Sequence, residues 1–167
     1  NDNFEEAINL LDAILERDPA YYEGFTQRGV IYTAMEEYQK AFEDYARAFK
    51  LAPKSFKACI TLSEANFPLK KPGNAYQQAS ECQKLAENDK ELAHMYFVRA
   101  IALEELKNDV AQRDWERMLE LDPEAILPEW KATAEFYLLQ YYTATPTPSE
   151  TPSPTSNTRT VLPTKTP

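Results

Sequence analysis

Residues 25–53 read FTQRGVIYTAMEEYQKAFEDYARAFKLAP, and the fold turns on this stretch. Ala41, Phe42, Tyr45, Ala48 and Phe49 recur at three- and four-residue steps, which places them on one face of a helix. Phe25, Gly29 and Tyr32 mark an earlier helical span, with a turn expected near Met35–Glu37. Outward from there, Ala75, Ala79, Cys82 and Ala86 form another stripe. Val98, Ile101, Ala102 and Leu106 continue it, then Trp115, Met118 and Leu119. No stretch sustains alternation with β-branched enrichment, so no strand is expected. Breakers fall at Asp18-Pro19, Ala52-Pro53, Lys71-Pro72-Gly73, Asp122-Pro123 and Leu127-Pro128. The segments between them, roughly 12–16 residues, have the length of antiparallel helices joined by short turns.

Apolar anchors also repeat at one spacing. Ala7 and Ala41, Pro19 and Pro53, Phe25 and Cys59, and Gly29 and Ser63 are each 34 residues apart; so are Tyr96 and Trp130, Ala100 and Ala134, and Leu103 and Tyr137. At these residues the chain resembles the tetratricopeptide repeat (TPR) family. Its best copy is Phe25, Arg28-Gly29, Tyr32, Tyr38, Ala41, Tyr45, Ala48 and Pro53. A second copy is Tyr96, Arg99-Ala100, Leu103, Ala111, Trp115, Leu119 and Asp122-Pro123. A degenerate copy lies between them: Cys59, Leu62-Ser63, Asn66, an insertion around Pro68–Gly73, then Tyr76, Ala79 and Ala86, with a boundary near Lys90. The resemblance covers residues 3–142. It implies an all-α TPR solenoid over 1–142, arranged as half a repeat, three repeats and half a repeat, followed by an extended Pro/Thr/Ser-rich tail over 143–167.

The two half-repeats are complementary. The first segment, with Phe4, Ala7, Leu11, Ile14 and Leu15, matches only a second helix; the last, with Trp130, Thr133-Ala134 and Tyr137, matches only a first helix. Phe136, Tyr137, Leu138, Leu139, Tyr141 and Tyr142 make that last helix apolar on nearly every side, which calls for burial. Two readings stay open. In one it is a cap tucked against the preceding helices. In the other, Trp130, Ala134, Tyr137 and Tyr141 of one subunit meet Phe4, Ala7, Ile8 and Leu11 of the next and complete a composite repeat. Head-to-tail contacts that do not close build filaments.

The tail holds nine Thr, three Ser and six Pro, and too little apolar surface to offset its ordering entropy. Ser/Thr-rich segments with Pro resemble O-glycosylated stalks outside the cytoplasm. Thr143, Thr145, Thr147, Ser149, Thr151, Ser153 and Thr155 are the candidate sugar sites, and an extracellular or cell-surface location is expected. The competing reading is an unmodified linker. No Asn-x-Ser/Thr site is present.

Composition removes most chemistry. Three glycines, Gly24, Gly29 and Gly73, do not build a phosphate loop. One histidine and two cysteines do not build a zinc site. A net charge of -9 repels phosphate backbones, so nucleic acid is not an expected partner. No run is apolar enough to span a membrane. Glu5-Glu6, Glu36-Glu37 and Glu104-Glu105 are adjacent, and adjacent helical residues diverge by about 100° rather than converge on a substrate. The chain is therefore expected to have no cofactor, no metal and no catalytic site, with His94 a surface or groove residue. An inner groove for a peptide of another protein would carry Thr26, Gln27, Val30, Ile60, Thr61, Phe97, Val98 and Ile101, an apolar face without a basic grip. Cys59 and Cys82 fall on facing stripes of one repeat. They read either as free buried thiols or as a disulfide.

Overall fold

The computed structural model describes residues 2–143. Thr145, Thr147, Ser149, Thr151, Ser153 and Thr155 lie outside the described residues. The breaker-bounded segments fold as eight α-helices, and the described residues contain no strand. They are α1 (Asp2–Arg17), α2 (Tyr22–Ala34), α3 (Tyr38–Leu51), α4 (Phe56–Glu64), α5 (Pro72–Cys82), α6 (Asp89–Glu105), α7 (Ala111–Leu119) and α8 (Pro128–Thr143). Single 3-10 turns, Gln83–Leu85 and Pro123–Ala125, follow α5 and α7. Each helix packs on its successor, and α4 also touches α6. The pairs α2–α3, α4–α5 and α6–α7 are whole repeats, α1 is a lone second helix and α8 a lone first helix.

Local chemistry sets the boundaries. Ser55 caps α4 by accepting from the Ala58 amide at 3.2 Å, and Asn88 caps α6 by accepting from the Glu91 amide at 3.0 Å. Pro72 and Gly73, expected to lie in a turn, form the first turn of α5 instead, where a proline loses no hydrogen bond. Thr143, expected to begin the tail, is the last residue of α8, and its hydroxyl donates to the Leu139 carbonyl at 2.7 Å.

The three turns inside repeats share one build. Glu36, Lys70 and Lys107 have φ of 61°, 58° and 53°. The next residue then donates to the carbonyl five residues back: Glu37 to Tyr32 at 2.8 Å, Lys71 to Asn66 at 3.0 Å, and Asn108 to Leu103 at 3.0 Å. This is the left-handed helix cap, made here without glycine.

Burial runs as a chain of clusters that bridge repeats. Ala41, Tyr45 and Leu62 form one; Phe56, Cys59, Ile60, Ala79, Cys82, Met95 and Val98 form the next. Trp115 and Met118 anchor a third with Ala93, Ala100, Leu103, Ala111, Ala134 and Leu138. Gly29 is fixed by close approach. A Cβ there would lie 2.6 Å from the Tyr45 ring.

Candidate functional site

The inner face is built by α4, α6 and α8, and it holds a ladder of rings. Phe56 of α4 meets His94 of α6 edge-on, with centroids 6.4 Å apart. His94 stacks on Trp130 of α8 at 4.8 Å, and Phe97, one helical turn on, stacks on the same indole at 5.2 Å. Phe97 also meets Trp115 at 5.8 Å, and Trp115 lies nearly parallel to Tyr137 at 5.5 Å. The Glu64 carboxylate, across from α6, is 2.7 Å from His94 Nε2.

Beside the upper rungs lies a cleft of about 480 Å³, lined by Phe56, Lys57, Ile60, Thr61, Asn88, Lys90, Glu91, His94 and Trp130. Its one lining carboxylate, Glu91, accepts from the Glu87 amide at 2.8 Å. Lys57 and Lys90 are exposed and have no carboxylate within salt-bridge reach among the described residues. The lining thus carries two lysines against one carboxylate, a small positive excess in a chain of net charge -9.

The expected groove residues divide. Ile60 and Thr61 line this cleft, though Ile60 shows only its edge. Thr26 and Gln27 line a separate cleft of about 280 Å³ with Tyr22, Glu23, Lys57 and Ala58. Val30 is exposed outside both. Val98 is a correction: it is buried against Cys59, Cys82 and Met95 and holds repeats together. Phe97 and Ile101 pack on the Trp115 cluster. The stripe on α6 is apolar on two sides because it packs both backward and forward, and spacing alone does not separate packing from groove. His94, expected as a surface or groove residue, lines this cleft; Trp130, Lys57 and Lys90 were not among the expected groove residues, and charge flanking an aromatic position was their one sequence signal.

Of the two readings of the last helix, the packing matches the cap: Trp130, Ala134, Tyr137 and Tyr141, which the other reading set against a second subunit, face this chain's own α6 and α7. Ala134 is fully buried in the Trp115 cluster. The Tyr141 hydroxyl donates to Glu104 at 3.0 Å, the carboxylate that also accepts from Trp115 Nε1 at 2.8 Å. Burial, together with that carboxylate, pushes the Tyr141 phenol well above the usual tyrosine range. On α1, Leu11 is 7% exposed and faces the chain's own interior; Ala7 and Ile8 are half-buried and Phe4 is at the rim.

Cys59 of α4 and Cys82 of α5 are joined by a disulfide, with Cα atoms 5.7 Å apart and both residues fully buried. No cluster of metal-ligating side chains occurs among the described residues, and none of their helices is long and apolar enough to cross a membrane.

No family model matches the sequence, and no curated protein does. Solved structures do match. A crystal structure of MamA superposes with a TM-score of 0.65 at 19% identity, over 84% of this chain and 88% of that one. A MamA RS-1 double mutant gives 0.69 at 19% identity, over 84% and 76%. YrrB, described as a TPR protein with an unusual peptide-binding site, gives 0.65 at 22% identity, over 84% and 70%. The fold is that of the TPR solenoids.

Proposed function

We propose that the chain is a non-catalytic interaction module that receives a peptide of another protein in the cleft between α4, α6 and α8. The observation that carries this reading is the pairing of an apolar, aromatic-walled floor with two uncommitted lysines, Lys57 and Lys90. Such a site suits an aliphatic or aromatic side chain next to a carboxylate. The structural likeness to a peptide-binding TPR protein supports it. Selection of displayed peptides on the whole protein tests it. The expected consensus pairs an acidic residue with a large apolar one, and Trp130→Ala weakens the selected peptides at least tenfold, as removal of an aromatic anchor does. Failure to select any consensus, or binding unchanged in both Trp130→Ala and Lys57→Glu/Lys90→Glu, overturns the reading.

A second reading has its own observation. Of ten exposed large apolar side chains among the described residues, seven lie on α1, on α8 or on the loop leading into α8: Phe4, Leu10, Ile14, Leu127, Phe136, Leu139 and Tyr142. On this reading the chain is a secreted structural subunit that assembles head to tail into a filament, with an O-glycosylated tail along its outside and an extracellular or cell-surface location. The buried disulfide supports an oxidising compartment. Intact-mass analysis of native material tests the sugar, and a native mass equal to that of the polypeptide removes it.

A further inference from the structure

A second recess opens on the other side of α4. It has a volume of about 180 Å³ and lies where α2, α3 and α4 meet. Its apolar walls are Tyr38, Ala41, Tyr45, Ala65 and Pro68, and Thr33, Thr61 and Glu64 complete the lining. The hydroxyls there are already engaged. Thr33 donates to the Gly29 carbonyl at 2.9 Å and pairs with the Tyr45 hydroxyl at 3.2 Å; Thr61 donates to the Lys57 carbonyl at 2.8 Å. Glu64 is the one charged lining residue. Its Oε1 meets His94 Nε2 at 2.7 Å, whereas its Oε2 has no hydrogen-bond partner among the described residues, and the side chain is 41% exposed.

This recess adjoins the cleft between α4, α6 and α8. Thr61 lines both. Glu64 lines the recess and His94 the cleft, so their contact crosses the divide. The divide is one stripe of α4: Lys57, Thr61 and Glu64, at i, i+4 and i+7, share a face. The stripe changes sign along its length. At the Lys57 end the cleft carries two lysines against one carboxylate; at the Glu64 end the recess carries one carboxylate and no cation. Seven residues of helix rise about 10.5 Å. An extended chain covers that distance in three residues, at about 3.3 Å each.

We propose that the recess is a second anchor site for the peptide that occupies the cleft, and that it takes a lysine or arginine side chain. This rests on the peptide-binding reading and names the class of partner. The partner is an extended segment with an acidic and a basic residue three positions apart, the acidic one beside the large apolar anchor. The recess suits the basic side chain in three ways. Its apolar walls cover the methylene stem. The phenol rings of Tyr38 and Tyr45 in those walls receive a cation better than an anion. The unpartnered oxygen of Glu64 then takes the charged head. The recess is also smaller than the roughly 300–1,000 Å³ of ligand pockets, so it admits one side chain rather than a separate small molecule.

Peptide selection on the whole protein, followed by titration of the selected peptides against variants, tests this. The consensus should carry lysine or arginine three positions from its acidic residue. Replacing that basic residue with alanine should weaken binding to wild type about fivefold, as for one partly exposed ion pair. The same replacement should change binding to Glu64→Gln by less than about twofold, the range of independent sites. Glutamine keeps the shape of Glu64 and can still bond His94, so the unfolding midpoint should stay that of wild type. Selection on Glu64→Lys should return an acidic residue at the basic position. A consensus with no basic position, or a basic residue whose removal costs the same on wild type and on Glu64→Gln, overturns the second anchor and leaves the cleft reading standing. Failure to select any consensus overturns the cleft reading, and the second anchor with it.

Discussion

The outer repeats and the middle repeat hold their two helices together by different chemistry at equivalent positions. In α2–α3 the Arg28 guanidinium lies over Phe25 and grips Asp44 with two bonds, at 2.8 and 2.7 Å. In α6–α7, Arg99 lies over Tyr96 and grips Asp114 with two bonds of 2.6 Å. The middle repeat replaces the set together: Cys59 for the aromatic, Leu62 for the arginine, Gln78 for the aspartate, and Cys82 opposite. An ion-pair clamp is directional and depends on both partners, since each is costly to bury alone. A covalent clamp acts mainly on the unfolded chain and leaves nothing charged inside. Removing half of either clamp should therefore have unequal consequences.

The largest loss is expected at Asp114. Its side chain is 3% exposed and that of Arg99 is 11% exposed. Burial opposes the charge on Arg99, but the hydrogen bonds and charge of Asp114 outweigh it and raise the guanidinium above its ordinary value. Asp114→Ala strands that cation and should cost about 3–5 kcal/mol in urea unfolding. Arg99→Leu/Asp114→Gln copies the middle repeat and should recover most of the loss. If the double variant is as unstable as the single, the two clamps are not interchangeable.

Opening the disulfide comes next. Its cysteines are 23 residues apart, so Cys59→Ala/Cys82→Ala should lose about 3 kcal/mol. An unchanged midpoint under non-reducing conditions would show that the middle repeat is held by packing alone. Asp44→Ala should cost less than either, about 2 kcal/mol in the same assay, the worth of a hydrogen bond to a charged group. Arg28 keeps a second partner there in Asp12 of α1. A loss equal to that of Asp114→Ala would mean that Asp12 contributes nothing.

The smallest effect should be the same in every repeat. Glycine at Glu36, Lys70 or Lys107 relieves a left-handed backbone, offset in part by the entropy of the unfolded chain, and should raise stability by about 0.5 kcal/mol. A gain at Lys70 alone would tie turn strain to the clamp type.

The coordinated replacement explains why the middle copy reads as degenerate. The Cys59–Phe25 spacing and the stripe through Cys82 were enough to place both cysteines on facing helices. Helix number and order were legible for the same reason, because proline breakers and apolar steps are local signals. The facing of α8 was not legible. Ala134 and Leu138 are buried against α6 and α7 while Leu139 is exposed, and a 34-residue period counted across residues 120–127, with their 3-10 turn, does not separate them. The cleft was only partly legible. Thr61 and Ile60 were placed on the inner helices by register, but Trp130 reaches their neighbour His94 only through the packing of α8.

The chain has two tryptophans, and the fold has put them in unlike surroundings. Trp115 is sealed in the core, while Trp130 lies half-exposed in the cleft wall against an imidazole. Their emission is consequently separable: a blue component that follows unfolding, and a redder, quencher-accessible one that follows what enters the cleft. The molecule thus carries its own optical gauge of occupancy, readable without a label.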